Sequence, residues 1–268
     1  MANLKSSVST FRKMKQEQKP IVMLTAYDAP TAALAMECGV DLLLVGDSVG
    51  NTMLGYSTTI PVTVEESLHH CRAVVRGTGN QAFVIGDLPF MSYHASEEQA
   101  LLNAAKYLQD AGCDAVKLEG GLEVVSTVKR MTTAGIPVCA HIGLCPQQVK
   151  VQGGYRIAGK TEAAVERLMK EALALEEAGA FMIVLECVTA EAAEKISQAL
   201  SIPTIGIGSG AGCDGQVQVV TDILGLSGYL PKHAKRYANL KEIMGNAFRE
   251  YVNDVRTKQF PTKENSHF

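Results

Sequence analysis

Apolar and polar positions along the chain fall in blocks. Short unbroken apolar runs recur, each followed by a polar or glycine-containing turn and then by a stretch rich in Ala, Leu, Glu and Lys. The runs occupy residues 21–25, 42–45, 83–86, 115–118, 137–140, 182–185, 204–207 and, more weakly, 217–220. Continuous rather than alternating hydrophobicity predicts strands buried on both faces, as in a parallel sheet. Between them, residues 29–37, 100–111, 162–178, 190–200 and 239–255 read as helices, with another opened by Thr63. Thr63-Val-Glu-Glu66 and Ser96-Glu-Glu-Gln99 have the spacing of capping boxes. Leu101, Ala104, Ala105 and Leu108 share one helix face, which stops at Gly112. Glu37-Cys-Gly39, Asp110-Ala-Gly112 and Glu177-Ala-Gly179 repeat one logic, a helix ended by glycine just before a strand.

Eight such β-then-α units in 268 residues match one (β/α)8 TIM barrel, which needs about 250 residues. The expected fold is therefore α/β, a single barrel domain over residues 1–268. The amphipathic segment 8–16 precedes the first strand and predicts an N-terminal capping helix that plugs the lower end. A doubly wound open sheet is the competitor. Its dinucleotide-binding form is weakened because no early G-x-G-x-x-G joins a strand to a helix.

Composition sharpens this picture. A hydrophobic fraction of 47% with 20% charged residues supports a large core and excludes a disordered chain. A net charge of −3 leaves no basic excess for nucleic acid or an anionic membrane. The apolar runs are far shorter than the roughly 20 residues of a membrane helix. The first residues, Met1 to Ser9, lack the apolar core of a secretory signal. Seven cysteines without a C-x-x-C pair give neither a disulfide framework nor a zinc knuckle. Buried thiols in a reducing cytoplasm are expected.

In such a barrel the chemistry sits at the C-terminal strand ends. Read in order, these offer Asp47 and Ser48, Asp87, Lys117 and Glu119, His141, Glu186, and the segment Gly206-Ile-Gly-Ser-Gly-Ala-Gly212. A single strand-end carboxylate can simply cap the next helix. Three on adjacent strands, Asp47, Asp87 and Glu119, would repel one another, and a hard divalent cation such as Mg2+ resolves that repulsion. Lys117 lies two residues from Glu119 and so shares its face. It suits an anionic substrate oxygen, or else neutralises the acids. Partial burial of Glu186 would raise its pKa toward that of a general base, the alternative being a cap ahead of Thr189. His141 reads as a hydrogen-bonded core residue. The glycine-rich segment is a phosphate cradle or a tight turn. The long connection 143–161 is a lid or binding loop, or a surface or oligomer contact.

The strand ends also spell an ordered set of motifs: Thr25-Ala-Tyr-Asp28, Val45-Gly-Asp-Ser-Val-Gly50, Gly86-Asp-Leu-Pro-Phe-Met91, Val116-Lys-Leu-Glu-Gly-Gly121, His141-Ile-Gly-Leu-Cys-Pro-Gln147, Gly153-Gly-Tyr-Arg156, Leu185-Glu186, Ile205-Gly-Ile-Gly-Ser-Gly210 and Cys213-Asp-Gly-Gln216. In these the chain closely resembles the ketopantoate (3-methyl-2-oxobutanoate) hydroxymethyltransferase family, over residues 10–240. The resemblance implies transfer of a one-carbon unit from 5,10-methylenetetrahydrofolate to 3-methyl-2-oxobutanoate, giving 2-dehydropantoate, the first committed step of pantothenate synthesis. It implies one Mg2+ per subunit and a homo-oligomer, often a decamer. Carried over by position, Asp47 and Asp87 resemble metal ligands, with Glu119 as a third metal-associated carboxylate. Asp47, Ser48, Asp87 and Lys117 fall where the keto acid is held, and Glu186 falls at the proton acceptor. A metal-stabilised enolate, formed when Glu186 takes the C3 proton, would then attack the folate's methylene carbon. Departures from the family pattern are small: Ala140, Cys145, Ala158, Lys160, Ser209 and Val220-Thr221. None touches the expected metal and base residues, and Ala158 and Lys160 fall in the long loop, where lid or folate contacts are expected. A metal-dependent lyase or mutase barrel and a non-catalytic scaffold are the rival readings.

Overall fold

The computed structural model describes residues 5–267. Residues 1–4 and 268, which carry the start of the no-signal reading and both ends of the expected 1–268 domain, lie outside the described residues. The chain forms two compact units, Met1–Val219 and Val220–Phe268.

In the first unit, eight strands close into a barrel in sequence order: β1 (Ile21–Thr25), β2 (Leu42–Val45), β3 (Phe83–Asp87), β4 (Ala115–Glu119), β5 (Val138–Gly143), β6 (Met182–Glu186), β7 (Thr204–Ile207) and β8 (Gly215–Gln218). Every pairing is parallel, and β8 returns to β1 through Ile21 opposite Gly215. The TIM-barrel expectation holds. The helices are α1 (Val8–Gln16), α2 (Ala29–Glu37), α3 (Val49–Thr52), α4 (Val64–Gly77), α5 (Glu97–Gln109), α6 (Val125–Thr133), α7 (Val149–Gln152), α8 (Glu162–Glu177) and α9 (Ala190–Ala199).

Alternation along the strands determines what fills the barrel. Met23, Leu42, Leu44, Ile85, Ala115, Cys139, Val184 and Val217 belong to one apolar cluster. Continuing two residues at a time toward the strand C-termini, the same parity brings Asp87 after Ile85, Lys117 and Glu119 after Ala115, His141 after Cys139, and Glu186 after Val184. An apolar plug therefore passes directly into a buried polar layer at one end.

The other end is closed by α1. Phe11 is fully buried and meets Phe83 edge-on at 5.0 Å, and Phe83 in turn lies 5.8 Å from Phe181. Lys15 donates to the carbonyls of Ser197 and Ile202 at 2.7 and 3.0 Å and pairs with Asp214 at 2.8 Å. The predicted capping helix is in place.

Local signals explain most boundaries. Thr63 and Glu66 form the expected capping box on α4. Ser96 accepts from the Gln99 amide at 3.1 Å, which starts α5 earlier than its apolar face suggests. The Gln99 side chain reaches Ala95 rather than Ser96, so only half of that box forms. The three helix-end glycines, Gly39, Gly112 and Gly179, all take positive φ.

Among the elements that differ from expectation, three have a clear physical cause. β5 runs on through His141 to Gly143, beyond the apolar run, because inward positions at the barrel mouth are polar. β8 begins at Gly215, where a Cβ would stand 2.3 Å from the Ile21 carbonyl oxygen, and Val220 already belongs to the next helix. α6 is absent from the expected helices. Its Val-, Ser- and Thr-rich sequence has modest helix propensity, and burial of Thr127, Val128 and Met131 overrides that preference.

The second unit contains α10 (Val220–Leu224) and α11 (Leu240–Arg256). No residue of α11 is buried, and Ile243, Phe248, Tyr251, Val252 and Val255 are exposed along it.

Candidate active site

The strand-end residues meet in one unbroken chain of contacts. The Asp47 amide donates to Asp87 Oδ2 at 3.1 Å. Lys117 Nζ lies 2.8 Å from both oxygens of Asp87 and 3.8 Å from Glu119 Oε1. Glu119 Oε1 is 3.5 Å from His141 Nδ1, and His141 Nε2 is 3.4 Å from Glu186 Oε2. Strand register enforces the order: Asp87 is paired with Lys117, Glu119 with His141, and Gly143 with Glu186. Asp47, Asp87, Lys117, Glu119 and His141 are buried, while the Glu186 side chain keeps 18% exposure. Glu186 is therefore the acid of this chain that reaches solvent. It does not cap α9, whose N-cap is Thr189.

Burial and mutual repulsion dominate the electrostatics. Desolvation, then the charges of Asp87 and Glu119, hold Asp47 well above the ordinary carboxylate range. Burial raises Asp87 against the opposing pull of Lys117. Glu119 is lowered: burial pushes it up, but its contacts with His141 and Lys117 outweigh that. Burial alone would lower Lys117, yet Asp87, Glu119 and Asp47 together hold it above its usual value, so the ammonium stays charged. Desolvation pushes Glu186 up to about 7, with His141 opposing and Glu119 reinforcing the rise.

Several organising residues were not singled out by strand-end reading. Gln147 is buried, donates from Nε2 to Asp47 Oδ2 at 2.9 Å and to the Leu88 carbonyl at 3.0 Å, and gives its amide to Glu119 Oε2 at 3.1 Å. Tyr93 accepts from the Glu119 amide at 3.1 Å and lies 2.9 Å from Gln147 Oε1. Tyr27 shares a 2.7 Å hydrogen bond with Ser48. The available signals were position and motif: Tyr27 lies in Thr25-Ala-Tyr-Asp28, two residues past β1, and Gln147 closes His141-Ile-Gly-Leu-Cys-Pro-Gln147, in the turn just after β5. His141 was expected to be hydrogen-bonded. Instead, neither ring nitrogen has a hydrogen-bond partner, and the ring stands between two carboxylates.

The glycine-rich segment after β7 folds as a tight turn against α9. A Cβ on Gly210 would meet Ala190 at 2.6 Å, and one on Gly212 would meet Glu194 at 2.7 Å. Ser209 donates to the Leu185 carbonyl at 2.7 Å and accepts from the Val188 amide. The connection after β5 is stitched to the extension of β6. Ala158 donates to the Cys187 carbonyl at 2.8 Å and accepts from Thr189 at 3.0 Å.

Among the described residues, no three His, Cys, Asp or Glu side chains stand close enough together to hold a metal ion by themselves. The chemistry of the donor set nevertheless fits a hard divalent cation. Four carboxylates share this layer with a single lysine, their donors are all oxygen, and repulsion from Asp87 and Glu119 adds to burial in raising the Asp47 pKa. Asp47 and Asp87 are the residues that would hold the ion, with Glu119 beside them. Fewer than three protein ligands is the ordinary state of Mg2+, which keeps positions for water and substrate oxygens.

Comparisons with known proteins bear on this geometry. The family model described as Ketopantoate hydroxymethyltransferase matches residues 5–263. A 3-methyl-2-oxobutanoate hydroxymethyltransferase of Syntrophus aciditrophicus (strain SB) is 52% identical over 263 residues, covering 98% of this chain and 96% of that protein. One from Dehalococcoides mccartyi (strain ATCC BAA-2266 / KCTC 15142 / 195) is 52% identical over 264 residues, covering 98% and 93%. Among solved structures, a putative phosphonomutase from Burkholderia cenocepacia J2315 gives a TM-score of 0.63 at 15% identity, over 81% of this chain and 93% of that one. A phosphonopyruvate hydrolase complexed with oxalate and Mg++ gives 0.62 at 12% identity, over 97% and 93%. At such identities these two structures show a shared fold alone.

Proposed function

The chain belongs to the ketopantoate hydroxymethyltransferase family and is a transferase, and on that premise we propose that it moves a hydroxymethyl group from 5,10-methylenetetrahydrofolate to 3-methyl-2-oxobutanoate, forming 2-dehydropantoate through an enolate. The observation that carries this reading is Glu186, a carboxylate pushed up to about 7 at the solvent-facing end of the buried polar chain. A base with a pKa near working pH combines the ionised form with a strong proton-transfer drive.

Carbon 3 of the keto acid bears the one hydrogen that must leave, and it lies next to the ketone. A divalent ion held by Asp47 and Asp87 supplies Lewis acidity to the keto oxygen when bound. The chain's own groups do the rest. Ser48, oriented by Tyr27, and Lys117, fixed by Asp87, hold the substrate's oxygens, and Lys117 faces the charge that develops as the enolate forms. Glu186 takes the C3 proton, and the electrons of that C–H bond become the enolate double bond. His141, between Glu186 and Glu119, links the base to the buried acid. One C–N bond of the donor's methylene bridge opens to an iminium, water adds to its carbon and the second C–N bond breaks, releasing tetrahydrofolate. The enolate carbon forms the new C–C bond to the one-carbon unit so freed, whose oxygen comes from that water and takes a proton to become the product's hydroxyl.

Further parts of the reading have separate support. Assembly as a homo-oligomer, expected to be a decamer, accords with the exposed apolar residues of α11, which are unusual on a lone soluble helix. Residence in the cytoplasm accords with seven cysteines that are all free. No helix among the described residues is long and apolar enough to cross a membrane.

The test is twofold. Product formation from 3-methyl-2-oxobutanoate is followed with Mg2+, with and without methylenetetrahydrofolate; product that does not depend on the folate contradicts the donor. Exchange of the C3 hydrogen for deuterium is then followed without folate in wild type and Glu186→Gln. Exchange at the wild-type rate in the variant removes Glu186 as the base.

A further inference from the structure

A cavity of about 440 Å³ lies beside the site, walled by the end of β5, the 156–161 segment and the first turns of α8. That volume is within the range of about 300–1,000 Å³ typical of small-molecule pockets. Its charge is opposite to that of the mouth. Arg156, Lys160 and Arg167 line it, with Glu171 as the one acid. Glu171 is buried and held by Arg167 at 2.8 Å. Arg156 and Lys160 have no ion-pair or hydrogen-bond partner among the described residues. Thr161, the N-cap of the 16-residue α8, and Ala164 also line the cavity, so the positive end of a long helix adds to the side-chain cations. In a chain of net charge −3, such a local excess of positive charge calls for an anion.

The cavity and the acid site share a wall. Gly143 lines the cavity and is the register partner of Glu186, and the Leu144 amide donates to the Glu186 carbonyl at 2.8 Å. Glycine is required there: its φ is +101°, and a Cβ would stand 2.3 Å from that carbonyl oxygen. Tyr155 lies on the mouth side, its phenol raised by burial and then by the charges of Glu186, Asp47 and Glu119. Its neighbour Arg156 lines the cavity. Two adjoining subsites of opposite sign result. One ligand can occupy both only if it reacts at one end and carries carboxylates at the other.

We propose that this cavity binds the glutamate tail of the one-carbon donor, with Arg156, Lys160 and the α8 N-terminus as its carboxylate partners. The inference rests on the donor assignment above. The keto acid is too short to serve both subsites, and its charges are already met at Lys117. The folate donor carries its transferable carbon on the pterin side and the α- and γ-carboxylates of glutamate at the far end. Each added γ-linked glutamate supplies another carboxylate to the same basic wall.

The experiment compares wild type with Arg156→Gln/Lys160→Gln, both changes at exposed side chains. Arg167 is left in place so that buried Glu171 keeps its partner. The donors are methylenetetrahydrofolate with one and with three glutamates, and methylenetetrahydropteroate, which has none. The expected result is a KM for the glutamylated donors raised tenfold or more, most for the triglutamate, with the KM for the tail-less donor unchanged. Direct binding of p-aminobenzoyl-triglutamate, measured by calorimetry, is expected to weaken in parallel. Unchanged KM values, or an equal rise for the tail-less donor, overturn the proposal. Wild-type enzyme without any folate-dependent turnover overturns the donor assignment instead, a different outcome from an intact turnover that ignores these two cations.

Discussion

The ammonium of Lys117 stands 2.8 Å from each carboxylate oxygen of Asp87, and both residues are buried. Removing one partner of such a pair leaves a buried charge uncompensated, at a cost of about 3–5 kcal/mol. Lys117→Met is therefore expected to lower stability by that amount in urea unfolding and to abolish substrate C3 exchange. The double variant Lys117→Met/Asp87→Asn is expected to regain much of the stability and none of the exchange. If the double variant were as unstable as the single one, the two residues would not be acting as a unit.

The pH dependence follows from Glu186, pushed up to about 7. Exchange is expected to rise with pH, reach half its maximum near 7 and level off above. Stability runs the other way. The folded protein holds this proton more tightly than the unfolded chain, whose value is near 4.5. The stabilising contribution is therefore complete below about 4.5 and lost as pH rises through 7. Glu186→Gln is expected to remove both the exchange and this part of the stability slope. A variant with the wild-type slope would place the titration elsewhere.

Gln147 bridges Asp47 and Glu119 through its side chain and its amide. Groups that orient metal ligands typically contribute 10–100-fold to metal affinity. Gln147→Leu is expected to weaken Mn2+ binding by that factor in electron paramagnetic resonance titrations, and Asp47→Ala to weaken it further. Chelation is expected to stop product formation, with recovery on adding Mg2+. Unaltered Mn2+ affinity in Asp47→Ala would contradict its assignment as a ligand.

At the opposite end of the barrel, Phe11 carries packing and no chemistry. Phe11→Ala is expected to cost about 3–5 kcal/mol. At about 2–4 °C per kcal/mol for a chain of this size, calorimetry should show a clear fall in Tm. The exchange rate per folded molecule is expected to stay at its wild-type value, because the apolar cluster separates Phe11 from the acids.

The sequence was most legible where one local signal sufficed. Unbroken apolar runs located the strands, Thr63 and Glu66 marked a helix start, and strand parity placed Lys117 and Glu119 on one face. It was least legible where the cause lies across the fold. The partner of Gln147 is Asp47, one hundred positions away, and no local pattern joins them. His141 was legible as a strand end, but the extension of β5 to Gly143 was not, because it lies beyond the unbroken apolar run. α6 escaped because burial, not propensity, makes it helical. The cavity beside Gly143 depends on how the 156–161 segment lies against α8, which composition does not encode.

Closure of the barrel has a consequence for how the chain is made. β1 at Ile21 finds its last neighbour only when Gly215 arrives, and Lys15 meets Asp214 across 199 positions. Until then β1 is an open edge beside an incomplete sheet, a template for pairing with another chain. Contacts of such long sequence separation form late, because loop closure must precede them. During synthesis the N-terminal strands must wait through most of translation for their final partner. The same ring that seals the mature protein makes the nascent chain vulnerable to aggregation, and truncations that remove β8 are expected to leave that edge exposed.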